Sequence, residues 1–266
     1  MEFKEINKES YYHDKTGMLL KGDCLEWMNK FPDKSIDMIL CDLPYGTTQC
    51  KWDIIIPFKN LWEQYKRIIK DGGVIALTSS QPFTSLLISS NLDMFKYCWI
   101  WEKDNASNFF AAKFQPLNNT EDVCIFSTGG ANNGTKNPIP YFPQGIDYVN
   151  ETHINGKNVG GLIGQAHKTA MKEGREYTQN QTGYPFKTLK FKRDSNKIHP
   201  TQKPVLLFEY LIKTYTKDNN IILDNTAGSC TTAIASKNTN RRWICIEQDQ
   251  KYCDVSVNRI KNYVTP

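Results

Sequence analysis

The chain has 266 residues, and its 33 Lys and Arg against 28 Asp and Glu give a formal net charge of +5. This length suits one large α/β domain, or one domain with a sizeable insertion, whereas two independent domains would each be small. The mild positive charge argues against a histone-like polycation but permits a nucleic-acid partner.

The cysteines and the N-terminal residues bear on location and metal binding. The 8 cysteines include no C-x-x-C pair and no Cys/His run of metal-ligand spacing, so we predict no metal site and expect reduced, mostly buried thiols. The first residues lack the apolar core of a signal sequence, and no stretch approaches the ~20 apolar residues of a membrane span. These features predict a cytoplasmic setting.

Short apolar runs alternate with helical patterns along the first half of the chain. Strands are predicted at 18–23, 35–42, 72–80, 95–105 and 120–128. A helix predicted over 58–70 is expected to end at Gly72 and Gly73. This alternation is typical of βαβ units and a parallel sheet.

The segment from Thr128 to Asn196 is different in composition. Gly, Asn, Pro, Gln, Lys and Tyr dominate it, and no apolar run is long enough for a central strand. A passive surface insertion is one interpretation. Its many Tyr and Phe residues argue against plain disorder, and long loops in compact domains are often functional, so we favour a partly ordered, ligand-facing segment.

Regular α/β order returns with a predicted helix over 204–216.

The first motif, Asp42-Leu43-Pro44-Tyr45, follows the apolar strand IDMIL. Ligands in open α/β sheets bind at the carboxyl ends of strands, which makes this position a candidate site. Taken alone, the motif also fits an ordinary turn in which Pro44 sets φ and Asp42 accepts a bond from a nearby amide.

The second motif runs from Ile221 to Ser229, where a buried strand enters the small residues that open a helix. Small residues let a cofactor approach the backbone, and free N–H groups at a helix start face it. The G-x-G-x-x-G spacing is missing, so a dinucleotide site fits poorly, and an ordinary strand-to-helix turn stays open.

Two acids lie at the ends of other predicted strands. Asp23 ends the strand predicted at 18–23, and Glu247 ends a strand predicted at 241–247. A carboxylate at the tip of the strand after a Gly-containing turn can accept two hydrogen bonds from ribose hydroxyls. Either acid could instead cap a helix.

The motifs DLPYG and DNTAGS, joined by HPTQKPVLLFEYLI, resemble the amino-methyltransferases of the permuted beta group, which modify adenine N6 or cytosine N4 in DNA. In that family the catalytic motif precedes the cofactor motif, as it does here. The resemblance implies an α/β fold with a doubly wound, mostly parallel, seven-stranded Rossmann-like sheet. It also implies a catalytic half at 1–127, a target-recognition insertion at 128–196 and a cofactor-binding half at 197–266.

Site residues follow from the same resemblance. The catalytic residues are expected to be Asp42, Pro44 and Tyr45. The residues expected to bind S-adenosylmethionine are Asp23, Cys24, Lys203, Asp224, Ala227, Gly228, Ser229 and Glu247. Among them Glu247 matches the acid that holds the ribose, and Lys203 lies in the stretch that closes the methionine end. The chain departs from the family at Leu43, where Pro is commoner, and at Cys230, where Gly is more usual.

Double-stranded DNA is the expected partner, together with a cognate restriction endonuclease, and a homodimer stays open. Phosphate contacts are expected from a basic cluster that Asp194 interrupts, made of Lys187, Lys190, Lys192, Arg193 and Lys197. The alternative for this cluster is a solvated charged edge.

The predicted product is N6-methyladenine, because in the resembling family an acidic first motif residue goes mostly with adenine and Ser goes mostly with cytosine N4. The loop Ser107-Asn108-Phe109-Phe110 is expected to form a wall of the base pocket opposite Tyr45. Cytosine-N4 methylation, an RNA or protein amino-methyltransferase, and a catalytically silent DNA-binding subunit are the alternatives. Cytosine-C5 chemistry is disfavoured because the chain has no Pro-Cys pair.

Overall fold

The computed structural model describes residues 3–48, 50, 53–154, 176–195, 198 and 202–263. These fall into two compact units, the first within 1–142 and 187–266 and the second within 143–186. The predicted boundaries of the recognition insertion, 128–196, stay a prediction. None of the helices in the described residues is long and apolar enough to cross a membrane.

Eleven strands, seven α-helices and two short 3-10 helices, Asn7–Glu9 and Phe109–Ala111, make up the described secondary structure. The strands are β1 (Tyr12–His13), β2 (Gly17–Lys21), β3 (Ile36–Asp42), β4 (Ile69–Ser79), β5 (Phe95–Ser107), β6 (Asn118–Phe126), β7 (Asp147–Ile154), β8 (Glu176–Thr182), β9 (Thr188–Lys190), β10 (Ile221–Asp224) and β11 (Arg242–Glu247). The helices are α1 (Phe3–Ile6), α2 (Cys24–Lys30), α3 (Phe58–Ile68), α4 (Phe83–Ser89), α5 (Val205–Tyr215), α6 (Thr231–Asn238) and α7 (Gln250–Asn262).

The first unit is built on a nine-stranded sheet in the order β1-β2-β11-β10-β3-β4-β6-β5-β9. The neighbours β2-β11-β10-β3-β4 pair in parallel throughout. Strand β6 runs antiparallel to both β4 and β5. The predicted mostly parallel, doubly wound sheet is confirmed. Seven of the nine strands, the neighbours β2-β11-β10-β3-β4-β6-β5, form the predicted core of the sheet. The short edge strands β1 and β9 were not predicted. The second unit contains the antiparallel pair β7 and β8.

Alternate side chains of the strands face helices on opposite sides of the sheet. In β3, Ile39 and Cys41 pack in the cluster that contains residues of α2, α3 and α4. Met38 and Leu40 of the same strand pack with residues of α5. Both faces of the central strands are therefore covered, which explains why those strands read as continuous apolar runs.

The sequence prediction was wrong about Gly72 and Gly73. The helix ends at Ile68, and both glycines lie inside β4, which begins at Ile69. Gly72 has a φ of +74°, and a Cβ on Gly73 would lie 2.9 Å from the carbonyl oxygen of Asp37. The pairing of β3 with β4 is irregular at this point, so the glycines permit a distortion of the strand rather than end the helix.

Candidate functional site

A cavity of about 750 Å³ lies in the first unit, at the carboxyl ends of the parallel strands. This volume is in the range of small-molecule and cofactor sites. Every residue that the sequence assigned to catalysis or to the cofactor lines the cavity, and so does Arg193. The strand order reverses between β3 and β10, because the chain continues outward from them in opposite directions, to β4 and to β11. Ligands of doubly wound sheets bind at such a reversal.

Asp42, the last residue of β3, has one fixed and one free carboxylate oxygen. Its Oδ1 accepts hydrogen bonds from the hydroxyls of Tyr45, at 2.8 Å, and Thr78. The ammonium of Lys203 lies 2.9 Å from the same Oδ1. Within the described residues, no group donates to Oδ2, and the side chain stays 22% exposed. The carboxylate is thus held in place with an acceptor to spare.

Lys203 links Asp42 to a second acid. Its side chain is only 7% exposed, and its Nζ lies 3.0 Å from Oε2 of Glu121, whose Oε1 is 3.3 Å from the ammonium of Lys103. Burial alone would lower the pKa of Lys203. The carboxylate of Asp42 and the other neighbouring groups have the larger, opposite effect and raise the pKa well above its ordinary value. Lys203 is therefore charged at neutral pH. Its predicted contact with the methionine end of the cofactor stays a prediction.

Tyr45 is held by contacts on its ring and on its hydroxyl. The ring stacks on Phe83 with centroids 5.0 Å apart and planes inclined by 21°. The ammonium of Lys203 lies 5.6 Å from the ring centroid. Burial raises the pKa of Tyr45 well above its ordinary value, so the hydroxyl is a neutral donor to Asp42. The assignment of Tyr45 to catalysis, in a base pocket opposite the 107–110 loop, stays a prediction.

Asp53 shapes the loop that follows the motif. Its carboxylate accepts backbone N–H groups from Gly46 at 2.8 Å, Thr47 at 2.9 Å and Thr48 at 2.6 Å. Burial alone would raise the pKa of Asp53. The hydrogen bonds that its carboxylate accepts have the larger, opposite effect, so the pKa lies below its ordinary value. The loop beside Pro44 and Tyr45 is therefore tied to a charged side chain.

The loop between β10 and α6 forms the other wall. Asp224 is buried and accepts the N–H of Thr226 at 3.2 Å and the hydroxyl of Thr232, and burial raises its pKa to about 7. The hydroxyl of Thr226 donates to the backbone carbonyl of Asp42 at 3.0 Å, which joins the two motifs. Cys230 begins α6 with a φ of 56°, a left-handed conformation that Gly adopts without strain.

The two acids at the ends of β2 and β11 differ in what they bind. Asp23 caps α2, because its Oδ1 accepts the N–H groups of Leu25 at 2.8 Å and Glu26 at 3.0 Å. Glu247 accepts the N–H of Gly228 at 2.8 Å and that of Asp249 at 2.8 Å, one on each oxygen. Burial raises its pKa. Each oxygen of a carboxylate has a further lone pair, so Glu247 can still accept from a ligand.

Comparison with known proteins decides the family. The N6_N4_Mtase family model, described as DNA methylase, matches residues 36–258. The chain belongs to this family. It is a DNA amino-methyltransferase, of the N6-adenine or N4-cytosine kind, and the family uses S-adenosylmethionine.

Two relatives and two solved structures illustrate the similarity. The DNA methylase is 27% identical over 280 residues to Type II methyltransferase M.HinfI of Haemophilus influenzae, which covers 94% of this chain and 69% of the relative. It is 26% identical over 285 residues to Type II methyltransferase M2.MboI of Moraxella bovis, covering 95% and 90%. Its fold is similar to that of PvuII DNA methyltransferase (cytosine-N4-specific), with a TM-score of 0.68, 16% identity and 97% and 91% coverage. The M1.HpyAVI-SAM complex gives a TM-score of 0.59, 20% identity and 91% and 99% coverage.

Asn225 in the DNA methylase is a cavity residue that the sequence did not single out. It is 2% exposed, and its Oδ1 accepts the hydroxyl of Tyr65 at 2.5 Å and the thiol of Cys41 at 2.8 Å. Its Nδ2 is buried and makes no hydrogen bond within the described residues. A buried donor without an acceptor costs about 1–3 kcal/mol. The fit of the cavity to a polar ligand rests instead on Glu247, each of whose oxygens accepts one N–H group and keeps a further lone pair.

Thr78, Glu121 and Lys103 also belong to the site and were missed. Thr78 is paired in register with Asp42 on the adjacent strand β4, so its place at a strand end could have been recognised. Glu121 lies near the start of β6, whose antiparallel direction brings its beginning to the same edge of the sheet. The strand direction does not follow from the apolar pattern.

The basic cluster of the methylase is partly paired with acids on β5. Lys190 lies 3.3 Å from Glu102, and the guanidinium of Arg193 lies 3.2 Å from Asp104. The exposed members outside the cavity are Lys187, Lys190 and Lys192. Lys197 lies outside the described residues. The contact of this cluster with DNA stays a prediction.

Proposed function

We propose that this DNA methylase transfers the methyl group to N6 of adenine in double-stranded DNA, after the base has left the helix. The observation that supports the site assignment is the asymmetry of Asp42. Its Oδ1 is held by Lys203, Tyr45 and Thr78, whereas Oδ2 has no donor among the described residues. A preorganised acceptor of this kind suits a group that must be bound during reaction.

The chemistry requires an activated amine. The exocyclic amine is a poor nucleophile, because its lone pair is delocalised into the ring. In the proposed arrangement Oδ2 of Asp42 accepts one amine hydrogen, and the backbone carbonyl beside Pro44 accepts the other. These bonds draw the hydrogens out of the ring plane and free the lone pair for the new N–C bond. Asp42 is then the adjacent base to receive the proton that the amine loses.

Lys203 keeps Asp42 ready for this role. Its ammonium, charged at neutral pH, lies 2.9 Å from Oδ1 of Asp42 and holds that oxygen in place. Glu121 holds the other side of the ammonium at 3.0 Å. We therefore assign Lys203 to the positioning of Asp42, in addition to the cofactor contact that the sequence suggested.

S-adenosylmethionine, when bound, supplies the methyl group from its sulfonium centre. Glu247 would accept hydrogen bonds from the ribose hydroxyls through its remaining lone pairs. The small side chains of Ala227, Gly228 and Ser229 would let the backbone of their loop approach the cofactor closely.

The choice of adenine rests on the acidic first residue of the catalytic motif, an association within the family. Cytosine N4 is the second candidate, because both amines present a similar amidine-like edge and an Asp acceptor suits both. The test is nucleoside mass spectrometry of DNA treated with methyl-labelled cofactor. Label in N6-methyladenine supports the proposal, and label in N4-methylcytosine alone would overturn the choice of base while leaving the reaction class intact.

A cognate restriction endonuclease is proposed as a partner on the basis of the relatives. M.HinfI and M2.MboI are named Type II methyltransferases, which supports an endonuclease that cleaves the unmethylated form of the same site. Co-expression tests this, since a host carrying the methylase should survive the endonuclease and a host without it should not.

A further inference from the structure

The loop that joins β5 to β6, residues 108–117, carries large apolar side chains that point into solvent. Phe110 is fully exposed, Phe114 is 89% exposed and Phe109 is 64% exposed. Single exposed apolar residues are common, but several on one short loop mark an interaction site. The sequence placed Phe109 and Phe110 in the wall of the base pocket, yet neither lines the cavity.

The backbone of this loop is held by its own hydrogen bonds. Asn108 has a φ of 59°, and its side-chain amide accepts the N–H of Asn118 at 2.7 Å and donates to the carbonyl of Pro116 at 3.2 Å. The N–H of Phe114 donates to the carbonyl of Ala111 at 2.8 Å. The aromatic rings are therefore presented by an ordered turn, and ordering the loop on binding costs less entropy.

The loop lies at the rim of the cavity. The residues at its two ends, Ser107 and Asn118, line the same cavity as Asp42. Asn118 also contacts Ser80, another cavity residue, at 3.5 Å. The exposed rings are thus carried by a loop whose two ends line the cavity that contains Asp42.

The charge of the loop suits a polyanion. Between Asp104 and Glu121, residues 105–120 contain no acid and a single basic residue, Lys113. Lys113 is exposed between Phe110 and Phe114 in the sequence. An apolar loop with one cation can approach the bases without repelling the phosphates, and the cation can pair with one of them.

We propose that the 108–117 loop is a wedge for duplex DNA, in which Phe110 enters the base stack and fills the gap left by the extruded target base. The proposal rests on the proposed function, since it requires a base that leaves the duplex to reach Asp42. Extrusion breaks stacking on both sides of the base. Apolar side chains stabilise opened base steps in other DNA-binding proteins, and an aromatic ring stabilises an unpaired base by stacking on it.

The experiment first maps the methylation site by sequencing DNA that the unaltered protein has methylated. It then compares two duplexes that carry this site and differ only opposite the target base. One is fully paired, and the other has an abasic residue at that position, so its target base is already loosely held. For Phe110→Ala we expect kcat/KM on the paired duplex to fall by about ten-fold or more, because the variant cannot stack on a base. On the abasic duplex the decrease should be only a few-fold.

Two control variants separate a wedge from a general defect. Phe110→Trp keeps a flat ring and should retain activity within a few-fold on both duplexes. Leu92→Ala removes an apolar side chain that is also exposed, at 65%, and does not line the cavity, and it should change neither rate. An unchanged rate for Phe110→Ala, or an equal decrease on both duplexes, overturns the wedge. If the unaltered protein methylates no DNA, the proposed function itself fails, and that result is seen before any variant is compared.

Discussion

Replacement of Lys203 by Met removes the ammonium between Asp42 and Glu121 while keeping a side chain of similar length. The variant lacks two ion pairs, with N···O distances of 2.9 Å and 3.0 Å, made by a side chain that is 7% exposed. Truncating one partner of a buried ion pair costs about 3–5 kcal/mol. Asp42 keeps the hydroxyls of Tyr45 and Thr78, so we place the decrease in stability near the lower value, about 3 kcal/mol.

Calorimetric unfolding would register this decrease as a melting temperature lower by about 6–12 °C. The pKa of Lys203 is raised in the folded protein, so its contribution is fully present below the unfolded pKa of ~10.4 and is lost only as the pH rises beyond it. The difference should therefore be the same at pH 7 and pH 9. In single-turnover methyl transfer, the removal of one oriented charge beside Asp42 should lower the rate by about 100-fold.

Lys103→Met is the matched control, because Lys103 contacts Glu121 at 3.3 Å and has no described contact with Asp42. It should destabilise the protein but leave the rate of transfer within a few-fold. A wild-type rate for Lys203→Met, or a main effect on the binding of S-adenosylmethionine, would contradict the assignment of Lys203 to the positioning of Asp42. The second result would assign Lys203 to the methionine end of the cofactor.

Three other predictions test separate parts of the site. Glu247→Ala should weaken S-adenosylmethionine binding by ~1–3 kcal/mol in calorimetry, and an unchanged dissociation constant would leave Glu247 only its hydrogen bonds with the loop. Neutralising Lys190, Lys192 and Arg193 together should lower DNA affinity and reduce the slope of log K against log salt by about one for each phosphate that is no longer neutralised; an unaltered slope identifies a solvated edge. Asp224, with its pKa raised to about 7, favours folding at low pH and loses that contribution as the pH rises from about 4 to 7. Asp224→Asn should therefore raise the melting temperature more at pH 8 than at pH 5, and equal shifts would contradict the pKa.

The sequence located the parts of the site that depend on parallel strands. Asp42, Asp224 and Glu247 end the neighbouring strands β3, β10 and β11. Since parallel strands present their carboxyl ends at one edge, three strand-end motifs predict one crevice. The apolar runs themselves predicted these strands, because the central strands are buried on both faces.

Interactions that depend on side-chain direction or on antiparallel pairing could not be predicted. Lys203 precedes α5, and nothing in its spacing indicates that its ammonium reaches Asp42. Glu121 falls within a predicted strand, but its position at the cavity follows only from the antiparallel direction of β6. Gly72 and Gly73 resemble a helix stop in the sequence, yet they permit a distortion inside β4.

The measurement that tests the central claim most directly is methyl transfer by Asp42→Ala, together with its affinity for S-adenosylmethionine. Asp42 is assigned to the amine and Glu247 and the loop after β10 to the cofactor, so transfer of labelled methyl to DNA should be abolished. The dissociation constant of the cofactor, measured by calorimetry, should stay within a few-fold of the wild-type value. Retained transfer, or an equal decrease in cofactor affinity and turnover, would contradict this division of the cavity.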